Sequence, residues 1–466
     1  MRPCYALPLL AAAASAVPPV PTAWLWSAKP QPGWPGPNNT TLPNTAALTR
    51  WAADVGPDSS RLEHPRPGLV RPDRRWLSLN GVCETAAPPP TRAPLTSALL
   101  SRRARAGGLD LNASRCPGVP GDLTCSTLPS PPFNTTLPGG ILVPFPVQSA
   151  LSGVRAMPPN GVGWTRRELS LGEVGRRPGE RLLIHVERCD FNCSVYFDGA
   201  LVGWHAGGYE HFTLDVTSFV DARRNSHEVL VGFDDRDVSQ PSGKQSNNAF
   251  NHPGGIFYTS TSGVWDSVWL EVVPRVYIRD VRLEPSLSGR TLAIDAELCA
   301  DGGQRFGVGL LNCSAPAATT PPRVVSAELL WQGAVVAQGS SHEGAPLVLT
   351  IPRSHELRPW SPSDPAMYEA RVSLSSANAS QPLDVAVLTT AFRDLSIGRR
   401  GQFARALLNG EALFATGVLQ QGFWPDGVCE IAMLSRIASP FVSLTRRVSL
   451  LQTQLRRTPR SSTTFS

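Results

Sequence analysis

The chain has 466 residues, of which 41% are hydrophobic and 17% charged, with 45 Pro and 40 Gly; this is too long for one core and too rich in breakers for long helices, so two to three β-rich domains are expected. The net charge of +6 is concentrated at one end: residues 431–466 carry six Arg and no acid, leaving 37 charges of each sign elsewhere, and so even a balance argues against nucleic acid as a partner. Only Lys29 and Lys244 are lysines, a bias that fits codon composition better than phosphate binding.

Residues 1–16, "MRPCYALPLLAAAASA", combine a basic start at Arg2, an apolar run from Tyr5 and small residues at Ala14-Ser15-Ala16, the pattern of a secretory signal peptide. No later apolar run reaches the roughly 18 residues of a membrane span, so no transmembrane segment is expected. Residues 17–75 read as a Pro-rich lead-in, with "RWAADVG" as a short helix. Strand patterning begins at "RWLSLNGVCE", breaks for a Pro/Thr/Ser/Gly-rich insertion over 86–140, and resumes at "GILVPFPVQSALSGV".

"RLLIHVERC" and "CSVYFDGALVGWHAGG" are strands, with Asp198-Gly199 supplying the positive-φ pair of a two-residue hairpin. "HFTLDVTSFV", "HEVLVGFDD" and "GVWDSVWLEVVP" complete an antiparallel sandwich over 76–274. Six more alternating strings, from "VYIRDVRLEP" to "LDVAVLTTAF", give a second sandwich over 275–395. In "TLAIDAELC", Leu292, Ile294, Ala296 and Leu298 share one face at period two.

Apart from Cys4 in the signal, eight cysteines remain, consistent with an oxidising compartment. Their spacing suggests Cys116–Cys125, Cys189–Cys193 and Cys299–Cys313 without fixing the connectivity. No His lies at ligand spacing from these pairs, so no metal site is expected. Asn-x-Ser/Thr acceptors at Asn38, Asn39, Asn112, Asn134, Asn192, Asn312 and Asn378 agree with a secreted or lumenal protein, although a Ser/Thr-rich chain supplies several by chance.

The chain has no G-x-S-x-G, Walker loop or H-E-x-x-H. Its most unusual polar string, "FDDRDVSQPSGKQSNN", places Asp234, Asp235 and Asp237 past a strand end, ahead of Gln240, Lys244 and Gln245. Loops at the end of a rigid sandwich commonly carry ligand contacts. Donors and acceptors near Trp265 and Tyr258 suit a sugar, whose hydroxyls need both while its apolar face stacks on an aromatic. The candidate sugar contacts are Asp234, Asp237, Gln240, Lys244, Gln245 and Trp265; a solvated surface loop is the plainer alternative. Trp204, Trp265 and Trp269 sit within strands and read first as core.

Together, "WLSLNGVCE", "ILVPFPVQSALSG", "RLLIHVERCDFNCSVYFDGALVGWHAGGYEHFTLDVTSFV", "QPSGKQ", "GGIFYTSTSGVWDSVWLEVVP" and "ELRPWSPSDPAMYEARVSL" resemble glycoside hydrolase family 2, the β-galactosidase, β-glucuronidase and β-mannosidase group. Cys83 departs from the aromatic usual in the first string. The resemblance implies an all-β chain: a jelly-roll, galactose-binding-like sandwich over 76–274, an immunoglobulin-like β-sandwich over 275–395, and over 396–427 the start of a (β/α)8 barrel. It also implies hydrolysis of a terminal β-linked sugar with retention, no cofactor, a carbohydrate ligand, and Asp234, Asp237 and Lys244 at the pocket edge.

Such a barrel takes about 250 residues, and a retaining site needs two carboxylates about 5–5.5 Å apart. Only 39 residues follow Gly427, with Glu430 as their sole acid. The expectation is a chain without the catalytic barrel and without catalytic residues, ending in a divergent basic tail over 428–466. The competing reading is a non-catalytic secreted carbohydrate-binding or adhesion protein. Nothing in the sequence bears on oligomeric state.

Overall fold

The computed structural model describes residues from 55 to 427, apart from 87–130, 236–239, 247–255, 301–321, 415–420 and shorter breaks at 57–59, 61–63, 74, 134, 136, 138, 156–157, 159–160, 377–378 and 425. The signal peptide, most of the insertion, the basic tail, Cys116, Cys125, Cys313, Cys429 and every acceptor Asn except Asn192 lie outside the described residues.

The all-β class holds. The first group of strands is β1 (Trp76–Ser78), β2 (Gly81–Ala86), β3 (Gly139–Val143), β4 (Val162–Leu169), β5 (Arg181–Val186), β6 (Cys189–Asp190), β7 (Asn192–Phe197), β8 (Ala200–Ala206), β9 (Phe212–Asp215), β10 (His227–Asp234), β11 (Gly263–Val264) and β12 (Val268–Val273). They form a sheet of order β1-β12-β5-β9, a sheet of order β3-β2-β4-β10-β7-β8 and a small β11-β6 ladder, all antiparallel. Alternation builds the core between the two large sheets. Leu182, Ile184 and Val186 of β5 and Val268, Leu270 and Val272 of β12 meet Val229, Val231 and Phe233 of β10 and Cys193, Val195 and Phe197 of β7. Asp198 and Gly199 adopt φ of 48° and 84°, closing the β7–β8 hairpin as expected.

Two aromatic rings occupy space that glycines leave open. A Cβ at Gly163 would lie 2.4 Å from the Phe233 ring, and one at Gly232 would lie 2.4 Å from the Trp164 ring. Gly163 faces Phe233, and Gly232 faces Trp164, directly across the β4–β10 ladder. Gly163→Ala is therefore expected to cost about 1–3 kcal/mol by forcing the Phe233 ring out of the core, which urea unfolding would measure; an unchanged midpoint would refute the close fit.

The second group is β13 (Val276–Ser286), β14 (Thr291–Ala300), β15 (Val324–Trp331), β16 (Ala334–His342), β17 (Leu347–Thr350), β18 (Tyr368–Ser375) and β19 (Asp384–Thr390). The order β13-β14-β17 faces the order β16-β15-β18-β19 across a separate core. Leu292, Ile294 and Leu298 are buried there, with Ala296 packed against them. A three-stranded meander of β20 (Leu395–Arg400), β21 (Phe403–Leu408) and β22 (Glu411–Ala412) follows, its last hairpin turned by Asn409 and Gly410 at φ of 53° and 85°.

β5 and β12 are buried on both faces. Their second face meets the other sandwich, where Leu183 and Val273 pack with Tyr277 and Cys299. Two polar pairs are buried on that face: Arg181 with Asp215, and His185 with Glu271. The described residues between 55 and 75, part of the 17–75 segment read from sequence as a lead-in, are stitched along both sandwiches. Val55 packs with Leu142, Phe145 and Leu151; Ser60 Oγ donates to Val143 O at 2.8 Å; Val70 bridges Val387; and Arg71 reaches Glu271 and Asp384. Cys189 and Cys193 form a disulfide, Cys299 is also disulfide-bonded, and Cys83 is a buried thiol whose pKa burial pushes up to about 11.

Candidate functional site

Where β6 pairs with β11, one end of the first sandwich carries a buried polar cluster. Asp190, the last residue of β6, and Asp235, just past β10, are each 2% exposed. Strand parity explains Asp235: Val229, Val231 and Phe233 point into the core, and the same face continues past the strand end. Gln245 Nε2 donates to Asp190 Oδ2 at 2.6 Å and to the Tyr209 hydroxyl at 2.8 Å, while Gln245 Oε1 accepts the Thr261 N–H at 2.6 Å. Ser262 Oγ donates to Asp235 Oδ2 at 2.6 Å, and Gln240 Nε2 donates to the other oxygen. Gln148 brackets Ser262, donating to its Oγ at 2.7 Å and accepting its N–H at 3.1 Å. A Cβ at Gly208 would lie 2.4 Å from the Asp190 carboxyl carbon, so only glycine fits over it.

Burial, then the neighbouring Asp235 carboxylate, pushes the Asp190 carboxyl up to about 8, although the Gln245 hydrogen bond favours the charged form. Asp190 therefore keeps its proton at neutral pH. With their oxygens engaged by Gln245, Ser262 and Gln240, the two acids brace the site from beneath.

An exposed tier sits above this floor. The backbone of Tyr258 pairs with that of Lys244 and Ser246 at 2.8 Å each, which sets Lys244 and Tyr258 side by side. Lys244 Nζ donates to Gln421 Oε1 at 3.0 Å, and the Tyr258 hydroxyl donates to the same oxygen at 2.8 Å. The Phe423 ring stacks on Tyr258 at 4.2 Å and 6°. Just behind it Asp426 is buried, its carbonyl accepting the Leu151 N–H at 3.1 Å. The described residues between 421 and 427 thus return to the first sandwich and complete the tier.

The structure brings Gln240, Lys244 and Gln245 together. Trp265, only 7% exposed, lies beneath: its Nε1 donates to Gly208 O at 2.9 Å and its ring stands edge-on to Tyr209 at 5.8 Å, with the Arg188 guanidinium 5.3 Å from its centre. It supports Tyr209 and presents no open face. Asp234 falls on the opposite face of β10 from Asp235, in register with Val162 and Asn192. Asp237 lies outside the described residues. Asp190, Tyr209, Ser262, Gln148 and Gln421 were not among the sequence candidates, and Asp235 was passed over although the parity of β10 marks it as inward.

With Gln421 Oε1 filled by Lys244 and Tyr258, the exposed tier offers the remaining ammonium protons and the Gln421 amide N–H groups as donors, the Tyr258 hydroxyl oxygen as acceptor, and an aromatic pair; this is equipment for holding a hydroxylated ring. Among the described residues, no three His, Cys, Asp or Glu converge as a metal site, and no helix is long and apolar enough to cross a membrane.

No family model matches the chain. In sequence it is 24% identical over 266 residues to the β-galactosidase of Thermoanaerobacter pseudethanolicus, a match that covers 57% of this chain and 32% of the relative. It is 23% identical over 271 residues to the β-glucuronidase of Felis catus, covering 55% of this chain and 38% of the relative. The chain thus spans about a third of the length of these curated relatives. Among solved structures, a Lactobacillus rhamnosus β-glucuronidase matches 76% of this chain and 50% of its own at 15% identity and a TM-score of 0.49. A β-glucuronidase from Ruminococcus gnavus in complex with D-glucuronic acid matches 76% and 52% at 16% identity and a TM-score of 0.47. The chain is similar to β-galactosidases and β-glucuronidases.

Proposed function

We propose that this chain is the sugar-recognising β portion of a secreted or lumenal glycoside hydrolase of the β-galactosidase and β-glucuronidase kind, which hydrolyses O-glycosidic bonds of β-linked sugars. In this reading the first sandwich is a jelly roll and the second is immunoglobulin-like. The observation that carries it is the exposed tier of Lys244, Tyr258, Gln421 and Phe423 on a chain whose sequence is similar to such enzymes. The Cys189–Cys193 disulfide supports the oxidising compartment. Because the Asp190–Asp235 pair is sealed beneath the site, the described residues bind and orient a β-glycoside without cleaving it.

Calorimetric titration of the 466-residue chain with methyl β-D-galactoside and methyl β-D-glucuronide tests the reading, with aryl β-glycoside turnover followed in parallel. Saturable binding is expected, weakened about fivefold or more by Lys244→Met and by Tyr258→Phe, with no turnover. Binding indifferent to both substitutions, or sugar release by the pure chain, would overturn it.

A further inference from the structure

A cavity of about 220 Å³ lies between the two sandwiches, on the face of β5 and β12 turned away from the first core. Its wall includes Arg66 from the residues before β1, His185 from β5, Trp269 from β12, and Tyr277 and Asp280 from β13. Such a volume falls below the roughly 300–1,000 Å³ of sites for drug-sized ligands, which suits a single ring.

Three polar groups line this wall. Tyr277 is 3% exposed and lines the cavity. Burial pushes its hydroxyl up to about 12, so it stays protonated and able to donate. Arg66 Nε is bonded to Glu187 at 3.1 Å, yet its Nη2 is buried without a partner. Asp280, an exposed residue at the mouth of the wall, accepts the Val281 N–H at 2.9 Å through Oδ1. A buried donor left without a partner is costly, and a ligand hydroxyl would relieve that cost.

Charge decides the class of ligand. Arg66 is offset by Glu187, Arg71 by Glu271 and Asp384, and Arg279 by Glu297 at 2.6 Å. An anion would meet Asp280, Glu271 and Glu297, and a cation would meet Arg66 and Arg71. Neither sign is favoured, while donors and an acceptor line the same space. We propose that this cavity is a second carbohydrate site that takes one neutral hexopyranose ring, held by the Tyr277 hydroxyl, the Arg66 guanidinium and the Asp280 carboxylate. It stands apart from the Lys244 tier and does not depend on the function proposed for it.

The test uses the 466-residue chain carrying Lys244→Met and Tyr258→Phe, so that binding at the other end is not counted. Saturation-transfer NMR and calorimetry with D-galactose, D-glucose and D-glucuronate are expected to show both neutral hexoses binding more tightly than the uronate. Tyr277→Phe, which removes one oxygen, and Arg66→Met are each expected to weaken hexose binding about five- to tenfold. Affinity retained for a β-linked disaccharide would identify the ligand as the end of a longer glycan, and affinity lost would identify it as the free sugar. Absence of hexose binding, or binding unchanged in both Tyr277→Phe and Arg66→Met, would overturn the proposal whatever happens at Lys244.

Discussion

Replacing Arg71 by Met is expected to destabilise the chain by about 3–5 kcal/mol and to lower its melting temperature by roughly 10 °C. The Arg71 guanidinium donates to Glu271 Oε1 at 2.5 Å, to both oxygens of Asp384 at 3.0 and 3.1 Å, and to the Ile278 carbonyl at 2.7 Å. Those partners come from β12 of the first sandwich and from β13 and β19 of the second, so one side chain joins the two. Without it, two buried carboxylates repel each other with nothing between them. Asp384→Asn in the Arg71→Met background should recover part of the loss, because the two sites share one network. Arg71→Lys should recover little, since an ammonium cannot serve both acids and the carbonyl in one plane. A melting curve of Arg71→Met that matched the parent would remove the clamp from the account of this fold.

The same network makes the junction labile to acid. Burial holds His185 down to about 4, and its neutral form stays bonded to Glu271 and Thr213. Arg71 and His185 hold Glu271 down to about 2, against its burial. Both groups bind fewer protons folded than unfolded, so their stabilisation is present at neutral pH. It fades as pH falls, from about 6.5 to 4 for His185 and from about 4.5 to 2 for Glu271.

Asp190 runs the other way, and Asp190→Asn is expected to show it. The folded chain keeps a proton on Asp190 up to about 8, whereas an unfolded Asp loses it near 3.8. Across that interval the folded state binds the extra proton, so this contribution to stability declines as pH rises. An amide cannot titrate and can still accept from Gln245. The variant should equal the parent near pH 4 and exceed it near pH 8 by on the order of a few kcal/mol. Urea unfolding at the two pH values reads the difference directly. Parallel losses at both would mean that Asp190 is ionised in the fold.

What the sequence disclosed was local. Period-two alternation marked Leu292, Ile294 and Leu298 as one face, and the Asp198-Gly199 pair marked its hairpin because positive φ is a property of two adjacent residues. Lys244 stood out by composition alone. The partners escaped because they meet only after folding: Gln245 finds Asp190 from 55 residues away, and Lys244 finds Gln421 from 177. No spacing rule reaches that far. Trp265 was legible as a buried strand residue and equally as a sugar platform, and only the packing of Tyr209 over it separates the two.

The corner formed by Val143 to Leu151 holds Val55 and Ser60 on one side and the Asp426 carbonyl on the other. Between those attachments the polypeptide makes its whole excursion through the second sandwich and comes home. Tension applied between residues 60 and 426 would therefore cross a few contacts at that corner and bypass the second sandwich, which hangs off the load path like the handle of a cup.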